Sequence, residues 1–224
     1  MKKPNLMIAL FLVILTLGVG SAFYFQNTDR TLPSSDRPAS GNPVQGFTAM
    51  WVSQAVNVDE VSKEANLIVR VRVVKSPEPR IIRETLPQVE VVNGETRVVG
   101  EEVSEAVFSD TMFEVIETYA GKSDPQIMVV QTGGPNPQNP ENITQMMDDP
   151  LYQLGEEYVL FLVDISGDSV QAPDRTLYRI VSPSGRYKIE NDTVQSYAEK
   201  TNDSAARIPT TLVDLVAQIS SSTK

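Results

Sequence analysis

Three carboxylate pairs, Glu101-Glu102, Asp148-Asp149 and Glu156-Glu157, are the residues of this chain whose types and spacing come nearest to chemistry. Two acids about 5–10 Å apart across a cleft can hydrolyse a glycosidic bond, and clustered oxygens can hold calcium. Neighbouring residues on a strand face opposite ways, so adjacency does not make an acid/base couple. Asp148-Asp149 lies in a loop-like stretch and could offer oxygens to calcium, but no ligand spacing accompanies it, and Asp149-Pro150 equally starts a turn. The remaining nucleophile and metal chemistries lack their residues. With 0 His and 0 Cys there is no Ser-His or Cys-His pair, no histidine base and no nitrogen or sulfur zinc ligand. No phosphate-cradling, dinucleotide-binding or EF-hand pattern occurs. Ser221-Ser222-Thr223-Lys224 matches S-x-x-K at a terminus where nothing orients a nucleophile. These residues predict no catalytic group, no metal site and no cofactor, hence a chain that is not an enzyme.

The elements that must position any site are mostly short strands. In LIVRVRVVK, Leu67, Val69, Val71 and Val73 share one face while Arg70 and Arg72 take the other, the pattern of a half-buried strand. Asn93-Gly94 between VEVV and ETRVV predicts a hairpin, because this pair tolerates the positive φ of a two-residue turn. Further strands are expected at 107–119, 126–131, 158–163, 178–181 and 186–189, with the continuously apolar YVLFLV central and covered on both faces. Asn57-Val58-Asp59-Glu60 and Thr211 to Asp214 have capping-box form, predicting short helices through Val61 and Ala65 and through Leu212, Leu215 and Ile219. Phe47, Met50, Trp51 and Ala55 stand at helical spacing and suggest one more. Thr132–Pro150, with its prolines and glycines, reads as a long loop. Long structured loops often bind, so the candidate binding residues are its Met146, Met147, Asp148 and Asp149. The methionines equally suit the open end of a barrel. The expected fold is mainly β, a small closed or partly open OB-like barrel with flanking short helices, preceded by one N-terminal transmembrane helix.

That helix is expected within residues 1–25. Lys2-Lys3 precede an uncharged apolar run, Leu6 to Phe25, of roughly 20 residues, enough to span a bilayer with the lysines inside and the rest outside. Gly20-Ser21-Ala22 also carries the small residues a signal peptidase reads, so the segment is either an anchor or a leader cleaved after Ala22, the latter giving a secreted protein. Residues 26–46, rich in Pro, Ser, Asp and Gly, form an expected disordered linker, and 47–224 an extracytoplasmic domain. Acidic residues outnumber basic ones 29 to 19, a balance that repels nucleic-acid phosphates and anionic headgroups. The sequons at Asn142, Asn191 and Asn202 are no more than weak signals for glycosylation.

Asn57 to Lys75, ending EANLIVRVRVVK, followed by a hairpin and FEVIETYAGK, resembles the start of the netrin-like OB barrel of the tissue inhibitors of metalloproteinases. Ala65-Asn66 stands where that family has alanine-aspartate, and Gly121-Lys122 closes the later strand. The chain is also similar to uncharacterised secreted bacterial proteins with a TGG turn, here Thr132-Gly133-Gly134, then DDP and GEEY.LFL, here Asp148-Asp149-Pro150 and Gly155–Leu162. The inhibitors chelate a protease zinc through an N-terminal cysteine that this chain lacks, so the resemblance implies the fold and no mechanism. Two functions follow as expectations. The first is a non-catalytic, membrane-anchored extracytoplasmic interaction module with another envelope or extracellular protein as partner, held to the membrane by its N-terminal helix and binding no nucleic acid. The alternative is an extracytoplasmic small-ligand, glycan or calcium-binding domain, with a carboxylate hydrolase behind it.

Overall fold

The computed structural model describes residues 44–47, 53, 55–92, 95–172, 174–197 and 208–223. The expected anchor and most of the expected linker lie outside these residues, as do Trp51 and Asn202; the linker's last three residues, 44–46, fall in the first strand. Among the described residues no helix is long and apolar enough to cross a membrane.

In chain order the elements are β1 (Val44–Phe47), α1 (Val58–Glu64), β2 (Leu67–Val92), β3 (Glu95–Ala120), β4 (Gln126–Asn136), β5 (Asn139–Met146), β6 (Glu157–Asp164), β7 (Tyr178–Ile180), β8 (Arg186–Glu190), β9 (Thr193–Ser196) and α2 (Leu212–Ser222). β2, β3, β4, β7 and β6 close a five-stranded barrel: β7 pairs parallel with β4 at Val129 and antiparallel with β6, which returns to β2. This closure is consistent with the expected OB-like barrel. β8 and β9 extend the sheet beyond β6, while β5 and β1 extend it beyond β4.

Alternation builds the core as the sequence implies. Leu67, Val69, Val71 and Val73 turn inward with Phe113, Leu160 and Leu162. Val159 and Phe161, on the other face of β6, meet Val58 and Val61 of α1 and Leu215 and Ile219 of α2. The apolar run of β6 is thus buried on both faces. The helices start where the capping residues place them. Asn57 Oδ1 accepts from the Glu60 N–H at 3.0 Å, and Thr211 Oγ from that of Asp214 at 3.2 Å.

Two expectations are corrected. First, the strand LIVRVRVVK does not end at Lys75: one hairpin of two 26-residue strands runs from the barrel out to the pair Val92–Glu95, with register shifts between Val73 and Glu78. β6 pairs with β2 only as far as Arg72, and a strand with one free edge tolerates the prolines that read as breakers. Second, Thr132–Pro150 is largely not a loop. β4 continues through Gly133-Gly134, turns at Pro137-Gln138 and returns as β5, on which β1 lies in parallel. The helix suggested for 47–55 begins on Phe47, which ends β1; residues 48–52 and 54 lie outside the described ones.

Candidate functional site

The four residues singled out in the sequence come together in space but not at one surface. Met146 ends β5 and is 2% exposed, while Met147 stands 53% exposed beside it. Asp148 is half-buried. Asp149 is buried, its Oδ1 2.5 Å from Nη1 of Arg186, which is itself fully buried at the start of β8.

This pair organises the barrel interior. The Arg186 guanidinium carbon lies 3.9 Å from the ring centre of Tyr152, 4.4 Å from Tyr197 and 4.8 Å from Tyr158, a setting in which ring faces attract the cation. The same nitrogen donates to the Pro150 carbonyl. Gln131 on β4 fixes the turn, donating from Nε2 to the carbonyls of Asp149 at 3.0 Å and Pro150 at 2.8 Å. Tyr152 and Tyr158 meet edge to face, with Phe113 against Tyr152. Burial opposes the Arg186 charge, yet Tyr152, Asp149 and Tyr158 together hold its pKa above the ordinary value. Burial pushes the Asp149 carboxyl up against the pull of Arg186. Asp149 therefore sits inside the core, held by Arg186.

Glu156-Glu157 lies at an open groove of about 510 Å³ running past Arg70, Lys188 and the β8–β9 turn. Asn191 and Asp192 make that turn with φ of 50° and 65°, values these short polar residues tolerate. Each acid is answered by a base. Lys188 Nζ sits 2.5 Å from Glu156 and 2.8 Å from Glu190. Glu157 takes Arg70 at 2.7 Å and Arg72 at 2.5 Å. Partial burial pulls both pKa values up, but the Lys188 and Tyr158 hydrogen bonds on Glu156, and those of the arginines on Glu157, bring both below the ordinary glutamate value. A general acid needs the opposite shift. Among the described residues no three acidic side chains converge on a point where a metal ion could sit.

No family model, curated protein or solved structure matches the chain.

Exposed apolar side chains collect on the outer part of the β2–β3 hairpin. Its base is anchored: Ile82 and Phe108 pack with Val130, Ala172 and Leu177, and Asp110, buried beneath, takes Arg80 at 2.8 Å and Arg175 at 2.7 Å. Arg80 also donates to the Gln171 carbonyl at 2.9 Å, tying the β6–β7 connection to the arm. Beyond Arg83–Glu105, joined at 2.6 Å, the two strands pair, among the described residues, only with each other for nine residue pairs, roughly 30 Å at the usual rise. Val98 is 68% and Val103 61% exposed, with Val99 bulged out between the pairs Gln88–Gly100 and Val89–Val98. The sequence located the turn of this arm and the acids Glu101-Glu102 on it, yet missed the arm. Valine- and glutamate-containing runs on both sides of Asn93-Gly94 were the available signal.

Proposed function

We propose that this chain is a membrane-tethered extracytoplasmic interaction module without catalytic activity, whose netrin-like, OB-like barrel carries the β2–β3 arm as its contact element for another protein. The observation that carries the reading is the arm. A two-stranded ribbon is marginally stable in water by itself, and exposed valines clustered on a projecting element are what a docking partner covers. The apolar run at 6–25 behind Lys2-Lys3 supports the tether, and the net charge of -10 favours a protein partner over nucleic acid or an anionic surface. The strand order, with β4 parallel to β7 across the closure, supports the OB-like assignment, and the resemblance of Asn57–Lys75 and Gly121-Lys122 supports the netrin-like one. Carboxylates held ionised by bases support a non-catalytic role.

The test compares the full chain with a variant in which Pro87–Glu101 is replaced by Asn-Gly, each used for affinity capture from native membranes and read by mass spectrometry. The expected result is a partner retained by the parent and lost with the arm. A partner held equally by both would remove the arm from the reading. No partner above background with either would move the weight to a small ligand, glycan or calcium. N-terminal sequencing of the mature protein separates an anchor from cleavage after Ala22.

A further inference from the structure

The two edges of the arm are not alike. Past Arg72, β2 carries Pro79 and Pro87 opposite Ser109 and Glu101. A two-stranded ladder admits proline where the missing N–H would face away from the partner, so both prolines remove donors from the outer edge of β2, which discourages strand addition there. In an antiparallel ladder both members of such a pair turn N–H and C=O outward. Glu101 therefore presents its backbone to the outer edge of β3, and Val103, Glu105 and Val107 do so at steps of two, with no proline in that stretch.

The neighbouring strand leaves this edge open. β4 pairs with β3 only between Phe108 and Glu114. At Gly133 and Gly134, with φ of 106° and 139°, it departs to join β5. It passes so near the arm's base that a Cβ on Gly134 would lie 2.1 Å from Ser109 Oγ. Among the described residues nothing pairs with β3 on that side from Glu95 to Val107.

We propose that the edge of β3 at Glu101–Val107 receives an extended basic segment of a partner protein as an added strand, a mode that rests on the arm being the contact element. Main-chain hydrogen bonds supply affinity in such an addition, and alternate side chains supply selectivity. Charge selects the occupant. Glu101 and Glu102 are exposed and have no ion pair among the described residues. A second copy would set these same glutamates edge to edge in a chain of net charge -10, and opposed like charges destabilise a ladder. Glu101, Val103 and Glu105 share one face at steps of two, and Glu105, though held by Arg83, keeps about half of its side chain open to a second cation, so the complementary strand reads Lys-x-Val-x-Lys.

The probe is a fluorescein-labelled peptide, Thr-Thr-Lys-Thr-Val-Thr-Lys-Thr-Thr, titrated onto the full chain in detergent micelles and read by anisotropy, with its Lys→Glu counterpart as control. The lysine peptide should bind, the glutamate peptide should not, and amide exchange should slow at Glu101, Val103 and Glu105. Val103→Pro deletes one outward N–H without touching the β2–β3 ladder, and should weaken binding about tenfold or more. Val103→Thr, which keeps that N–H, should stay within about twofold, and Thr85→Pro, in the outward phase of β2, should change nothing. Far-UV circular dichroism and the thermal midpoint report whether Val103→Pro folds; Glu101→Pro, opposite Pro87, repeats the test. No binding of the lysine peptide, equal binding of the glutamate peptide, or binding indifferent to both prolines overturns the proposal. Capture of the native partner lost with the shortened arm but kept by both prolines overturns strand addition and leaves the arm as contact element. Capture kept by all three variants overturns both.

Discussion

Near its start β2 buries one face in the barrel core and is paired along both edges, by β3 and β6; near its end it is paired along one edge and carries prolines on the other. The two regions share one strand and one partner, and both alternate apolar with charged residues. What differs is what surrounds them. Arg70 and Arg72 find Glu157 on the neighbouring strand, and Val71 finds the barrel core. Val98 and Val103 find water. A β-pattern therefore specifies a strand without specifying whether the molecule itself or a partner will bury it. The inner region should govern stability and the outer one association.

The sharpest way to break this division is inside the barrel. Asp149→Ala leaves Arg186 buried without its counter-charge and should lower unfolding free energy by about 3–5 kcal/mol. Combining Asp149→Leu with Arg186→Met should recover most of that loss in urea titrations, since apolar pairs often replace buried ion pairs without penalty. A small effect of Asp149→Ala would mean that the core does not depend on the pair. Next in size, Gly134→Ala places a side chain at φ 139° against Ser109 and should cost about 1–3 kcal/mol by thermal denaturation. A midpoint equal to the parent's would show that β4 does not need this departure from β3.

The outward acids near the barrel should show a smaller, pH-dependent effect. Glu156 and Glu157 titrate below the ordinary glutamate range in the folded chain. Their contribution is full at neutral pH and is lost as pH falls from about 4.3 through their lowered values, because the unfolded chain there binds more protons. Urea midpoints between pH 7 and acid should fall less steeply for Glu157→Gln, and parallel curves would sink the assignment. The smallest change belongs to the arm. Replacing Pro87–Glu101 by Asn-Gly should move the unfolding free energy by no more than about 0.5 kcal/mol, as exposed segments do. A large loss would make the outer arm part of the fold and end the contrast.

What the sequence revealed follows the same division. Alternation in LIVRVRVVK, the unbroken apolar run of β6 and the two helix caps were legible because each rests on neighbours within a few residues. The role of Asp149 was not, because Arg186 lies 37 residues away and no local pattern couples them. The arm was hidden for another reason. Pro77, Pro79 and Pro87 are breakers in a strand paired on both sides, and only the ending of β6 pairing at Arg72 makes them harmless. Gly133-Gly134 and the prolines after them similarly looked like a loop, although they bend β4 into a hairpin.

The packing of α1 against α2 has a consequence for how the chain acquires its shape. Val58 and Val61 share a cluster with Leu215 and Ile219, and Ser222 donates to Asp59, across roughly 150 residues of intervening chain, a separation that slows folding. As the polypeptide emerges from the ribosome, α1 and the outward face of β2 at Ile68 must wait uncovered while the whole barrel is synthesised. Until α2 arrives, that sticky nascent surface is a target for chaperones.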